Sequence, residues 1–113
     1  FTAIAGDVSD TQALTDAIDA AAAAASAGSS SDAGAGAGVH LETLVNNCAI
    51  QPPASCVPAH RLSLEMWDRL IAVNLTAVFA ASRAALPHLI ERQANLKAER
   101  TRSATGGAKR GGV

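Results

Sequence analysis

The sequence is poor in aromatic and sulfur-containing residues. It has two phenylalanines, one tryptophan and no tyrosine, so the basic residues near its end have no aromatic rings beside them on which nucleic-acid bases could stack. We therefore predict no nucleic-acid partner. The two cysteines, Cys48 and Cys56, match no thiol redox or zinc spacing, and the three histidines are isolated. This pattern predicts structural cysteines, surface histidines and no metal site.

The chain also lacks long apolar runs. No uninterrupted run approaches the roughly 18 residues of a membrane span, and nothing at the start resembles a signal or transit segment, so we predict a cytoplasmic protein without membrane association. Of the apolar residues, 27 are alanine, which leaves few large side chains for a core and favours one domain at most. Because Phe1 opens what resembles a strand interior, we expect a piece of a larger domain.

The first quarter of the sequence predicts a strand followed by a helix. Residues 1–6 are short and mostly apolar, and Ser9 with Gln12 three residues later has the pattern of a capping box. The helix is predicted from about Asp10 to Ala25, since alanine favours helix strongly. Its apolar stripe is predicted to consist of Leu14, Ile18 and Ala21.

A second strand is predicted at 41–45, after a Gly, Ser and Ala stretch at 26–38 that has the composition of a flexible insertion. A strand, a helix and a strand in succession predict a parallel pair joined by a right-handed crossover. Ligands of open parallel sheets bind beyond the carboxyl ends of the strands, where the sequence places Asp7 and residues 46–49. Both polar clusters therefore lie where a ligand is expected.

The second half of the sequence predicts a long helix between two loops. Residues 51–62 contain three prolines and cannot form a regular element. Ser63 is a candidate N-cap for a helix that continues to Leu86, and Pro87 is predicted to end or kink it. Residues 93–110 are basic and are predicted to form a solvated loop rather than a nucleic-acid-binding patch.

Three motifs occur in order along the chain: Gly6-Asp7-Val8, then Leu44-Val45-Asn46-Asn47-Cys48-Ala49-Ile50, then Val73-Asn74-Leu75. Together they resemble the short-chain dehydrogenase/reductase family, over about Phe1 to Arg92. The resemblance implies an α/β fold, with residues 1–113 as the central part of one doubly wound, Rossmann-type parallel sheet domain. It also implies an NAD- or NADP-dependent oxidoreductase that interconverts a secondary alcohol and a carbonyl, and a homodimer or homotetramer.

The resemblance places Asp7 and Val8 beside the adenine ring of the cofactor. A carboxylate at that position can accept a hydrogen bond from the exocyclic amine of adenine. The residues alone leave a second interpretation equally open, in which Asp7 is a turn residue before a capped helix.

The resemblance also implies that Asn46, Cys48 and Ala49 border the cofactor and that Asn47 helps to hold the sheet together. The chain departs from the family pattern at two positions, with Cys48 for the usual alanine and Ala49 for the usual glycine. Alanine at the glycine position needs an ordinary φ or some strain, which affects how closely the backbone approaches the cofactor.

Asn74 is the candidate catalytic residue. It shares a predicted stripe with Trp67, Ile71 and Val78, so we expect it to be buried. The residues alone favour a structural amide, whereas the resemblance places Asn74 in a catalytic tetrad, where it helps to bind a water of the proton relay. The resemblance places the other tetrad members, a serine and a Tyr-x-x-x-Lys pair, after the strand that begins near Val113, and this sequence contains no tyrosine. It places the glycine-rich pyrophosphate turn before Phe1. The alternative is an inactive binding or scaffold protein, or an incomplete gene model.

Overall fold

The computed structural model of the protein describes residues 3–27 and 40–106. Helix α1 spans Thr11–Ala27, and two short 3-10 turns follow at Pro53–Ser55 and Ala59–Arg61. A long helix then consists of α2 (Leu64–Ile71), a π-helical turn (Ala72–Thr76) and α3 (Ala77–Gly106). Helix α1 packs against α3.

The predicted pair of parallel strands is not formed among the residues that the structure describes. Residues 3–7 and 41–50 belong to no helix, yet no backbone hydrogen bond joins these two described segments. A strand needs a neighbour for its main-chain groups. In a doubly wound sheet the third and fourth strands lie on opposite sides of the first two, so these two strands follow each other in the sequence without pairing. Residues 3–7 and 41–50 therefore need not pair with each other. The sheet predicted for this chain is not confirmed.

Helix α1 begins one residue later than the sequence predicts, and its cap is different. The backbone N–H of Ala13 donates to Asp10 Oδ1 at 3.0 Å, which makes Asp10 the capping residue. The capping box predicted for Ser9 and Gln12 is therefore wrong, because the Gln12 amide donates forward to Asp16 at 2.8 Å. An aspartate caps a helix as well as a serine does, so the sequence left the choice between adjacent residues undecided.

The buried residues of α1 and of the long helix are mostly alanine. In α3 and the turn before it, the buried residues recur every four positions, as Val73, Ala77, Ala81 and Ala85. Ala22 is the buried residue of α1, whereas the predicted Ala21 is exposed. Small side chains at a contact permit a short distance between helix axes. A hydrogen-bonded pair, His88 Nε2 with Asp19 Oδ1 at 3.0 Å, also joins the two helices.

The stripe predicted to bury Asn74 is wrong. Trp67 and Asn74 are both exposed, and Ile71 and Val78 are only half-buried. From Asn74 onward the stripe is interrupted by the π-helical turn, in which the backbone N–H of Ala77 donates to the carbonyl oxygen five residues earlier. The extra residue in this turn rotates the side chains that follow it, so the roughly 3.6-residue period does not continue through it.

The long helix also continues further than the sequence predicts. Pro87 lies inside α3, where its missing N–H removes one hydrogen bond without ending the helix. The basic loop predicted at 93–110 is helical as far as Gly106, and its last four residues lie outside the described ranges. Alanine, leucine, lysine, arginine and glutamate make 93–102 rich in strong helix formers, and this propensity outweighs the charge pattern. Of the insertion predicted at 26–38, only residues 26 and 27 are described, and they end α1.

The long helix was also compared with the length and hydropathy of a membrane span. In the described part of the chain, Leu64–Thr105 is long and apolar enough to cross a membrane by length and composition, with 22% of its apolar window buried. Core helices of soluble proteins meet the same criterion. Length and composition alone do not distinguish the two.

Candidate functional site

The side chain of Asn74 binds the main chain of Ile50. The Ile50 backbone N–H donates to Asn74 Oδ1 at 2.8 Å, and Asn74 Nδ2 donates to the Ile50 carbonyl oxygen at 2.9 Å. The amide thus occupies both main-chain groups of one residue, as an opposite residue of an antiparallel strand would. An amide has two N–H donors and two acceptor sites, so one donor and one acceptor site of Asn74 remain for another partner. The two residues are 24 positions apart in the sequence.

The π-helical turn at Ala72–Thr76 contains Asn74. Such turns are rare and occur frequently at functional sites. No local pattern in the sequence predicts this turn. The turn and the two hydrogen bonds together fix the Asn74 amide at the end of the extended segment 41–50.

Asn46, another predicted site residue, contacts the long helix. Its Nδ2 atom donates to Ser82 Oγ at 3.4 Å. Sequence reasoning missed Ser82, because a serine inside a helix has no distinctive pattern. Cys48 is an exposed free thiol, and so is Cys56, so neither has the buried position expected of a structural cysteine.

Val8, Asn46, Asn47 and Cys48 line one cavity of about 550 Å³. It is bounded by α1, by the extended segment and by α3, and the remaining lining side chains are apolar: Leu14, Ile18, Leu44, Val45, Val73, Ala77, Val78 and Ala81. The structure therefore brings together four of the seven predicted site residues. Asp7, Ala49 and Asn74 are not among the lining residues.

Asp7 forms a turn with Ser9. The backbone N–H and the hydroxyl of Ser9 both donate to Asp7 Oδ1, at 2.9 and 2.8 Å. These two hydrogen bonds, the backbone one first, hold the pKa of Asp7 below its ordinary value, and the positive charge of Arg69 acts in the same direction. Asp7 is therefore ionised at neutral pH. The turn uses Oδ1, and Oδ2 has no hydrogen-bond partner among the described residues.

The part of the chain that the structure describes contains no group of three or more His, Cys, Asp or Glu side chains that could hold a metal ion. The polar groups at the end of the extended segment are instead amides, a thiol and main-chain groups. Groups of this kind suit hydrogen bonding to an organic ligand.

The family model for short chain dehydrogenases matches residues 1–96, and the chain belongs to this family. This confirms the resemblance that the three motifs indicate. The family implies a Rossmann-like fold, although the described residues contain helices and no strand. No solved structure matches the chain significantly.

Several characterised proteins are similar to part of the chain. A 3beta-hydroxysteroid dehydrogenase 1 of Eggerthella lenta is 45% identical over 49 residues, which cover 43% of this chain and 18% of that protein. In Xanthobacter autotrophicus, a 2-(S)-hydroxypropyl-CoM dehydrogenase 3 is 44% identical over 52 residues, or 46% of this chain and 19% of that protein. An inactive 2-(S)-hydroxypropyl-CoM dehydrogenase 2 of the same organism is 43% identical over 53 residues, with 47% and 22% covered. The matched segments thus span about a fifth of each relative.

Proposed function

We propose that this chain is the central part of an NAD(P)-dependent oxidoreductase that interconverts a secondary alcohol and a carbonyl. The observation that carries the proposal is the pair of hydrogen bonds between Asn74 and Ile50. It joins two of the three family motifs in space across 24 residues of sequence. Two similar proteins that are named as dehydrogenases have names that describe hydroxy compounds, which supports an alcohol as the substrate class.

The residues beyond the extended segments fit a dinucleotide. Asp7 has one carboxylate oxygen without a protein partner in the described ranges, which can accept from an exocyclic amine, and Val8 beside it is half-buried and apolar. Residues 47–49 are exposed, so their main-chain groups are accessible to a ribose. When bound, the nicotinamide ring would supply or accept the hydride.

In this proposal the chain binds and orients, and other parts of the protein provide the acid. Asp7 and Val8 hold the adenine end, and Asn46, Cys48 and Ala49 border the cofactor, with Asn47 supporting the sheet. Asn74 fixes Ile50 at the end of this border, and its remaining N–H can hold a water of a proton relay. The serine and the Tyr-x-x-x-Lys pair that complete the family tetrad would lie beyond Val113.

The coding sequence on both sides of the chain and the activity of the encoded full-length protein test this proposal. In the coding sequence we expect a glycine-rich turn upstream and a Tyr-x-x-x-Lys pair downstream. In the full-length protein we expect carbonyl compounds to oxidise NADH or NADPH, which is measured by the loss of absorbance at the nicotinamide band. A screen of secondary alcohols and ketones with both cofactors would identify the substrate class. A full-length protein without the Tyr-x-x-x-Lys pair and without activity would contradict the proposal.

One observation favours a second candidate, a catalytically inactive member of the family. A relative that is 43% identical over 53 residues is named as inactive. Such a protein would retain the cofactor-bordering residues and lack the acid. Binding of NAD(P)H by the full-length protein without turnover of any carbonyl substrate would support this candidate. A cytoplasmic location is a prediction for the active and the inactive protein alike.

The long helix supports self-association of the full-length protein. Leu75, Phe79, Leu86 and Ile90 are each more than half exposed, and their spacing places them along one side of the helix. An exposed apolar stripe of this length is typical of an interaction surface. A second copy of the protein could cover it, which agrees with the homodimer or homotetramer implied by the resemblance.

We therefore expect the full-length protein to be a dimer or tetramer, and Phe79→Asp to reduce its mass to that of a monomer, because a buried unpaired charge disfavours the interface. Light scattering at micromolar concentration measures this. Asn95→Asp is a matched control, since it adds the same charge at an exposed position on the opposite side of α3. A monomeric wild-type protein, or an unchanged oligomer in Phe79→Asp, would contradict the expectation.

A further inference from the structure

Three polar contacts hold the extended segment 41–50 along the long helix. Two were described above, and the third is an ion pair in which Arg92 Nη2 lies 3.5 Å from Glu42 Oε1. The contacts join Glu42 with Arg92, Asn46 with Ser82, and Ile50 with Asn74. Since the residue numbers rise along the segment and fall along the helix, the two run antiparallel.

The spacing of these contacts matches the geometry of both elements. On the segment they are four residues apart, which is about 13 Å in extended backbone. On the helix they are eight and ten residues apart, which is about 12 and 15 Å. The even spacing also places the side chains of Glu42 and Asn46 on one face of the segment, because side chains of extended backbone alternate. Ile50 makes its contact through its main-chain groups. The three contacts therefore specify the same register.

Ser82 makes the central contact, at the start of the residues that border the cofactor in the proposed function. Val45, the residue before Asn46, is 76% exposed, so its own side chain contributes little apolar packing at this point. The neighbouring contacts, at Glu42 and Ile50, are each four residues away. A serine hydroxyl both donates and accepts, so it can bind either end of the Asn46 amide.

We propose that Ser82 is a positioning residue: its hydroxyl holds the Asn46 amide and thereby sets the place of the main chain at 46–49 against the cofactor. The consequence for the cofactor rests on the proposed function. The consequence for the main chain does not, because it follows from the contact itself. The two can therefore be measured separately.

A matched pair of variants, Ser82→Thr and Ser82→Val, isolates the hydroxyl. Threonine and valine have nearly the same shape and the same branching at Cβ, and only threonine retains the hydroxyl. Ser103→Ala is a control for loss of a serine from an exposed position of the same helix. All variants are made in the full-length protein.

Two measurements follow. In Ser82→Val, we expect faster backbone hydrogen exchange at 45–49 than in wild type, and a dissociation constant for NAD(P)H raised about fivefold, which corresponds to the roughly 1 kcal/mol of a neutral hydrogen bond. In Ser82→Thr, the hydrogen-exchange rate at 45–49 and the dissociation constant should both stay close to the wild-type values. Ser103→Ala should change neither quantity.

The outcomes separate the two proposals. Unchanged hydrogen exchange at 45–49 in Ser82→Val would overturn the positioning role. Equal effects of the threonine and valine variants would also overturn it, since they would indicate a response to side-chain shape. If exchange accelerates in Ser82→Val but the wild-type protein binds no nicotinamide cofactor, the proposed function fails while the role of Ser82 in holding the main chain stands.

Discussion

Replacing Asn74 by alanine in the full-length protein is expected to lower turnover by about 10²-fold or more, the usual effect of losing acid–base assistance. The Asn74 amide holds both main-chain groups of Ile50 and has one further N–H, which in the proposed function holds a relay water. Alanine removes all three interactions at once. Because the remaining cofactor contacts stay, the affinity for NAD(P)H should change much less than the turnover.

Activity and stability together distinguish this role from a purely structural one. If Asn74 only secures Ile50, the variant should lose about 1 to 3 kcal/mol of stability, and its folded fraction should turn over almost normally. Steady-state kinetics and a denaturant titration of the same sample measure both quantities. Asn95→Ala, at an exposed position of α3, is the control. Near-normal turnover by folded Asn74→Ala protein would refute the proton-relay role.

The isolated 113-residue chain is expected to bind NAD(P)H only weakly, to reduce no carbonyl compound and to unfold without a sharp transition. Its described buried apolar residues are one valine and four alanines. Larger side chains such as Val45 and Phe79 are exposed. Burial of so little apolar surface cannot offset the conformational entropy of a cooperative fold. The chain also contains neither the glycine-rich turn for the pyrophosphate nor a tyrosine to act as the acid.

Circular dichroism during heating and a fluorescence titration with NADH and NADPH test this expectation. The full-length protein under the same conditions is the control, and it should unfold cooperatively and bind a cofactor. A sharp cooperative transition of the isolated chain, or binding with a micromolar dissociation constant, would show that the chain is a self-sufficient unit.

The helices were the part of the fold that the sequence predicted best. The start of α2 after Ser63 is confirmed, since the Met66 backbone N–H donates to Ser63 Oγ at 3.2 Å. This succeeded because capping and helix propensity act within a few residues. The strands depended on partners elsewhere, and no local pattern at 41–45 can supply a neighbour. Pairing with other strands is a property of the whole sheet.

The motifs in the sequence indicated candidate site residues but not the contacts that these residues make. The motifs indicated Asn46 and Asn74. The structure adds that Asn46, in the extended segment, contacts the long helix, and that Asn74, in the long helix, contacts the extended segment. The exposure of Asn74 could not be predicted, because it depends on the π-helical turn. Ser82 could not be predicted either, since its contact joins residues 36 positions apart.

The alanine contact between α1 and α3 has a consequence for sequence tolerance. Ala85 has 0% of its surface exposed and does not line the cavity of about 550 Å³, whereas Ala77 and Ala81 do. A larger side chain at Ala77 or Ala81 can therefore extend into the cavity, and one at Ala85 cannot. Glycine or serine fits the volume available at Ala85, whereas valine or leucine must displace its neighbours, at a cost of about 1 to 3 kcal/mol. Substitutions at Ala85 in related chains should therefore follow side-chain volume more closely than hydrophobicity.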